Sequence, residues 1–257
     1  MPANKKSKLQ VSAASYLPVS WQGAPANVHA YTTLRAGGYS SGNFSSYNLA
    51  THVSDDESLV AKNRQKLAQD LTLPSLPVWL NQTHSDRVIL AEEVSKQSMD
   101  ADASIARTKG VVCAVLTADC LPVFFCNRTG TEVAVAHAGW RGMHAGIITK
   151  TVEAMHSAIE DIVVSLGPAI GQQSFEVGAE VFSAFIEKDI NNKAAFVTTR
   201  DAHYNCDLYQ IAKNELWALG LTDVNGGGYC TYQENARFYS YRKQPITGRM
   251  ANIIWFE

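Results

Sequence analysis

The stretch Thr117-Ala-Asp-Cys-Leu-Pro-Val-Phe-Phe-Cys-Asn-Arg-Thr-Gly-Thr-Glu-Val-Ala-Val-Ala-His-Ala-Gly-Trp-Arg-Gly-Met-His-Ala-Gly146 contains two apolar runs, Leu121–Cys126 and Val133–Ala136, joined by Asn127-Arg-Thr-Gly130. Two such runs around a short polar turn read as a β-hairpin. Residues that a strand does not need flank both runs: Asp119 and Cys120 come before the first, and His137, Gly139, Trp140, Arg141 and Gly142 come after the second. Antiparallel pairing sets the start of one strand beside the end of the other. The hairpin therefore predicts that Cys120 and His137 meet at one edge of a sheet. The Ala138–Gly142 segment then opens a helix, where free backbone N–H groups beside Arg141 suit either an anion or simple turn chemistry.

Outward from the hairpin, Val111–Thr117 reads as a buried strand leading into Asp119 and Cys120. Upstream, two apolar runs between Val78 and Ala91 flank a polar knot, Asn81–Arg87, which includes Gln82 and His84. Glu92–Asp102 reads as exposed and irregular. Asn27–Arg35 alternates as a strand does and runs into a Gly/Ser-rich loop whose polar ends are Arg35 and Asn48. Ser54 and Glu57 have capping-box spacing at the head of an amphipathic helix that ends before Leu73-Pro74. Downstream, the spacing predicts a helix over Met143–Ile159, a strand at Ile162–Leu166 and a helix over Ala179–Ile186. Asp189–His203 reads as a polar loop. Asp207 caps a helix reaching Leu219, with Gln210 completing its box and Gly220 stopping it. Phe238–Tyr241 and Met250–Phe256 read as closing strands. Strands and helices mix without strict alternation, which fits one α+β domain with layered sheets over 11–257, preceded by a disordered tail over 1–10.

Composition narrows the function classes. The chain has 257 residues, is 46% hydrophobic and 18% charged, and carries a net charge of −2. That balance, with no basic run beyond Lys5-Lys6, points away from nucleic acid and anionic membranes. No apolar run approaches the roughly 20 residues that span a bilayer. The polar, basic N-terminus lacks the apolar core of a signal peptide, so a cytoplasmic location is expected. The five cysteines show no regular spacing and are expected to be reduced thiols. Nothing indicates an obligate protein partner.

Three soft donors end apolar runs in polar settings: His84, Cys120 and His137. A His₂Cys set is a known catalytic zinc arrangement with water in the fourth position, and the same donors also accept copper. An ion there would hold Cys120 as a thiolate. The same two residues, Cys120 and His137, also suit a cysteine nucleophile with its base, and spacing does not separate these options. Asp119 is expected to orient His137 or another site group.

The residues that carry a resemblance are Thr32-Thr-Leu-Arg-Ala-Gly-Gly-Tyr-Ser, Tyr47-Asn-Leu-Ala, Asn63-Arg, Asn81-Gln-Thr-His-Ser, Thr117-Ala-Asp-Cys-Leu-Pro-Val, Ala136-His-Ala-Gly-Trp-Arg-Gly, Gly167-Pro-Ala-Ile-Gly, Tyr229-Cys-Thr-Tyr, Phe238-Tyr-Ser-Tyr-Arg and Thr247-Gly-Arg-Met-Ala. In these the sequence resembles the YfiH-like family, also called the laccase-domain or multicopper polyphenol oxidase family, from about residue 30 to the C-terminus. The resemblance implies an α/β/β/α type fold, with mixed β-sheets packed between helices, and a zinc held by His84, Cys120 and His137. It further implies phosphorolysis of adenosine, inosine and methylthioadenosine, with adenosine deaminase activity at the same site. Some relatives are linked instead to editing peptidoglycan precursors, which would suit a Cys120 hydrolase or amidase. A multicopper oxidase needs several coppers held mainly by histidine, and only two of the seven histidines lie in convincing motifs. For phosphorolysis, Arg35 and Arg141 are the expected oxyanion contacts, and Asn48 and Gln82 the expected readers of ribose or base.

Overall fold

The computed structural model describes residues 15–19, 21–94 and 99–257. The expected tail over 1–10 lies outside the described residues. The hairpin forms as its sequence dictates. Strands β6 (Leu121–Asn127) and β7 (Val133–Ala138) pair antiparallel, with Pro122 opposite His137 and Leu121 opposite Ala138. They lie at the centre of a six-stranded sheet in the order β12 (Val224–Gly226), β8 (Ile162–Leu166), β6, β7, β4 (Ala103–Ala106), β3 (Val88–Leu90). A second sheet orders β1 (Tyr16–Pro18), β2 (Val28–Thr33), β13 (Met250–Phe256) and β5 (Cys113–Thr117).

Side-chain alternation explains why the sheets stack. Leu121, Val123 and Phe125 of β6 face helices α2 (Trp140–Ala145), α3 (Ile147–Ala154), α4 (Ala179–Lys188) and α5 (Leu208–Ala218), joining Met143, Ile148, Phe185 and Ile211 in one buried cluster. The intervening Phe124 and Cys126 point the other way and pack with Cys113, Val115 and Ile254 of the second sheet. The opposite face of that sheet, with Ala114, Leu116 and Ile253, packs with Leu67 of helix α1 (Glu57–Asp70). The result is a four-layer α/β/β/α domain. Because every central strand is covered on both faces, β6 and β7 read as continuous apolar runs rather than alternating ones.

Several local expectations shift. Helix α1 is capped by Asp56, whose carboxylate accepts from Ser58 N at 2.8 Å and Leu59 N at 3.3 Å, while Ser54 stands outside with φ 66°. Asp207 does cap α5, accepting from Gln210 N, but the Gln210 amide turns to Asn214. The single helix expected over 143–159 is two, α2 and α3, broken at Gly146 with φ 98°, where a side chain is disfavoured. It stops at Ala154 because the buried Glu132 carboxylate takes up the His156 and Ser157 N–H groups, which removes them from any helical ladder. Asp189–His203 is not a loop. It holds β10 (Phe196–Arg200), which pairs with β11 (His203–Cys206) and, through it, β9 (Glu176–Gly178) in a third sheet. Phe238–Tyr241 is a turn segment rather than a strand, with Phe238 and Tyr239 fully buried.

Candidate metal centre and its pocket

The chain crosses from one sheet to the other between Thr117 and Leu121, and the candidate centre is built at that crossing. Asp119 adopts φ 91°, a left-handed conformation uncommon for a residue with a side chain. Its carbonyl accepts from Ile170 N at 2.9 Å. Its carboxylate accepts from Thr231 Oγ1 at 2.6 Å and from Arg242 N at 2.7 Å. Asp119 therefore ties the 231 and 242 loops to the crossing and leaves Cys120 facing the pocket. Of the two roles expected for it, orienting His137 or another site group, the first falls to another acid, while its bond to Arg242 N fits the second.

Asp102 holds His137 instead, and it was missed within a segment expected to be exposed. It is fully buried. Oδ1 lies 2.8 Å from His137 Nδ1 and accepts from His84 N at 3.0 Å. Oδ2 accepts from Ser85 N at 2.6 Å, Ser85 Oγ at 2.7 Å and Thr83 N at 3.2 Å. The Asp102 carbonyl also accepts from His137 N. One carboxylate thus fixes the ring of one histidine and the backbone of the other, holding His84 at φ 59°. An acid just before a run of four small and apolar residues, Ala103–Ala106, is the sequence signal that could have found it.

The three expected donors come together. One ligand atom each from His84, Cys120 and His137 lies within 4.8 Å of the others. Cys120 Sγ is 3.8 Å from His84 Nε2, and the two imidazoles meet edge to face with centroids 4.7 Å apart. His137 is buried, Cys120 half-buried and His84 exposed, so the cluster opens on one side. Burial alone would push the Cys120 thiol up, but the charge of His137 and hydrogen bonds from both histidines outweigh it and hold the thiol well below its usual range. Burial pulls His137 down, and Cys120 and Asp102 more than reverse this. The donor chemistry fits a single thiophilic or borderline divalent ion: two imidazoles and a thiolate, with Asp102 behind His137. Among the described residues this is the one group of three such donors, short of what several coppers require.

Gly139 closes the floor. A Cβ added there would stand 2.8 Å from His84 Cδ2 and 3.0 Å from Cys120 Sγ. Gly139→Ala is therefore expected to displace a donor, lowering bound metal severalfold in elemental analysis while the far-ultraviolet circular dichroism stays that of the parent.

The cluster lines a cavity of about 520 Å³, within the range of small-ligand sites. Ile170, Phe175 and Leu208 give it an apolar wall, Trp140 and Tyr241 give it aromatic ones, and Arg141, Arg242 and Arg249 stand against a single acidic lining residue, Asp119. Arg141 lies over the Trp140 ring at 4.2 Å, and Arg242 over Phe175 at 5.2 Å. Of the expected substrate readers, Arg141 and Gln82 line the cavity, but the Gln82 amide is doubly engaged with Leu116, donating to its carbonyl at 2.9 Å and accepting from its N–H at 2.6 Å. Arg35 and Asn48 are not in the lining. Arg35 donates to the Ser45 and Asn235 carbonyls, and Asn48 is fully buried with its amide bound to Ala50, Asp55 and Arg249 N. Sequence reasoning gave no site role to His52, Arg242 or Arg249, which the fold brings into the lining from the loop before α1 and from the long connection between β12 and β13.

The protein is thus a four-layer domain with a candidate His₂Cys metal cluster at the seam of its sheets. The family described as multi-copper polyphenol oxidoreductase laccase matches residues 29–257, and the chain belongs to it. It is 48% identical over 231 residues to a protein named purine nucleoside phosphorylase YfiH from Escherichia coli, covering 90% of this chain and 95% of that one. It is 43% identical over 244 residues to purine nucleoside phosphorylase PA4543 of Pseudomonas aeruginosa, covering 95% and 99%. The crystal structure of Neisseria meningitidis protein NMB0706 superposes with a TM-score of 0.91 at 44% identity, covering 95% of this chain and 99% of that chain. Among the described residues no helix is long and apolar enough to cross a membrane.

Proposed function

We propose that this chain is a zinc-dependent purine nucleoside phosphorylase acting on adenosine, inosine and methylthioadenosine, with adenosine deaminase activity at the same centre. The observation that carries the reading is the His84–Cys120–His137 cluster opening into a nucleoside-sized cavity whose lining holds three arginines and one acid. The names of the relatives support its purine nucleoside phosphorylase part. Zinc held by those three residues would supply a Lewis acid with one coordination position left open.

The chain's own residues do the rest. Trp140 and Phe175 offer flat faces to a purine. Arg141 and its neighbouring guanidiniums bind and aim an oxyanion. Asp102 keeps His137 in one tautomer with its Nε2 turned to the centre. In phosphorolysis a phosphate oxygen forms the new bond to the ribose anomeric carbon. The bond from that carbon to purine N9 breaks with its electron pair on the base, and the base takes up the proton that hydrogen phosphate loses. In deamination, water adds its oxygen to the purine carbon bearing the amine, and ammonia leaves.

The test is chromatography of adenosine incubated with protein of measured metal content. Free adenine and ribose 1-phosphate are expected with phosphate and not without it, and inosine in both. Production of neither under any metal load would end the reading. A second reading has its own observation: Asp102, His137 and Cys120 stand in the order of an orienting acid, a base and a nucleophile. A cysteine hydrolase or amidase on a peptidoglycan precursor would keep turning over after chelation.

A further inference from the structure

The cavity contains a guanidinium that the protein binds firmly by one end and leaves unanswered at the other. The backbone of Arg249 is clamped by the buried Asn48, whose Oδ1 accepts from Arg249 N at 2.9 Å, while the Arg249 carbonyl accepts from Leu49 N. Nη1 donates to the Thr247 and Gly248 carbonyls at 2.8 and 3.0 Å. Nε and Nη2 have no acceptor among the described residues, and no carboxylate lies within ion-pair distance. The ring of Tyr241, 5.7 Å from its Cζ, covers it. The one acid of the lining, Asp119, is engaged with Thr231 and Arg242 N.

A half-buried cation fixed at two hydrogen bonds and lacking a counter-charge is costly unless a ligand completes it. The other two arginines of the cavity differ. Arg141 and Arg242 are exposed to solvent where Arg249 is half-buried, and Arg242 also donates to the Glu176 carbonyl. His52 shares the lining with Arg249. Burial and the charges of Arg249 and Arg64 favour its neutral form, which can donate one hydrogen bond without adding a charge.

We propose that Arg249, with His52 beside it, is the subsite that takes inorganic phosphate, and that Asn48 is the positioning residue that sets Arg249 in place. The subsite deepens the phosphorylase reading and rests on it for its role in turnover. It also gives the Asn48 and Thr247-Gly-Arg249 motifs a joint purpose: the first is not a reader of substrate but the anchor of the residue that is.

The experiment uses metal-loaded full-length protein. Arg249→Met is expected to raise the KM for phosphate by about ten- to a hundredfold, the loss of a charge-assisted hydrogen bond, while the KM for adenosine stays within about twofold. Arg249→Lys, which keeps the charge and loses the fork, should fall between the two. A measurement on the parent protein guards against misfolded variants: inorganic phosphate should protect Arg249 from phenylglyoxal, as mapped by peptide mass spectrometry. Protection of Arg141 or Arg242 with Arg249 modified at an unchanged rate would overturn the subsite, as would phosphorolysis by Arg249→Met at the parental phosphate KM, which leaves the phosphorylase reading standing. Protection of Arg249 without turnover of any nucleoside supports the subsite and removes that reading.

Discussion

Asp102→Asn is expected to lower metal affinity by about 10- to 100-fold and to destabilise the fold by about 3–5 kcal/mol, the range for breaking a buried charge pair. The chemistry is a mismatch of donors. The carboxylate accepts from three consecutive N–H groups, from the Ser85 hydroxyl and from His137 Nδ1. An amide retains one acceptor oxygen and turns an NH₂ toward donors. If the oxygen stays with the 83–85 backbone, His137 loses the acceptor for its Nδ1 proton, and the tautomer that presents Nε2 to the centre is no longer favoured. If the oxygen stays with His137, the loop carrying His84 is released from its φ 59° conformation, which costs about 1–2 kcal/mol to hold. Either way one of three donors is misplaced. Competition against a chromophoric chelator gives the affinity, and urea denaturation of the metal-free protein gives the stability. Parental metal affinity in the variant would show that Asp102 orients neither histidine.

The layers were legible because burial leaves a plain trace. The apolar runs of β6 and β7 with a short polar turn could hardly be anything but a buried hairpin, and its register alone brought Cys120 to His137. What could not be read was which polar group serves which. Asp119 and Asp102 are both acids beside apolar runs, and only the fold shows that the first binds Thr231 and Arg242 while the second binds His137. Asn48 and Gln82 look like substrate readers in a sequence because amides are common in sites. The Asn48 amide is taken up by Ala50, the Asp55 carboxylate and Arg249 N, and the Gln82 amide by the Leu116 backbone; Arg249 and Leu116 come close to them only in the folded chain. Arg249 and His52 sit about two hundred positions apart, so no local pattern joins them. The helix and strand errors have a similar origin: a buried Glu132 ended α3 early, and pairing of β11 with the earlier β9 supports a β10–β11 hairpin in a polar stretch around Phe196.

Cys120→Ala is expected to have the largest effect of any single change. Structural zinc sites with four ligands gain roughly 10–16 kcal/mol, or about 3–4 kcal/mol for each ligand, so losing the thiolate should weaken the metal by about 10²–10³-fold or more. Nucleoside turnover should fall with metal content and return in part at high added zinc, because His84, His137 and Asp102 remain in place. A nucleophilic cysteine predicts otherwise, since no amount of metal replaces the bond it forms. The parent protein separates the two without mutation. If Cys120 is a ligand, iodoacetamide should label it after chelation and spare it in the metal-loaded protein, whereas the buried thiols of Cys113, Cys126 and Cys206 stay unlabelled in both. Labelling of Cys120 at the same rate with and without metal, together with activity that survives chelation, would move the chemistry from the ion to the thiol. The Asp102–His137 pair would then be the base and its orienting acid rather than a ligand and its support.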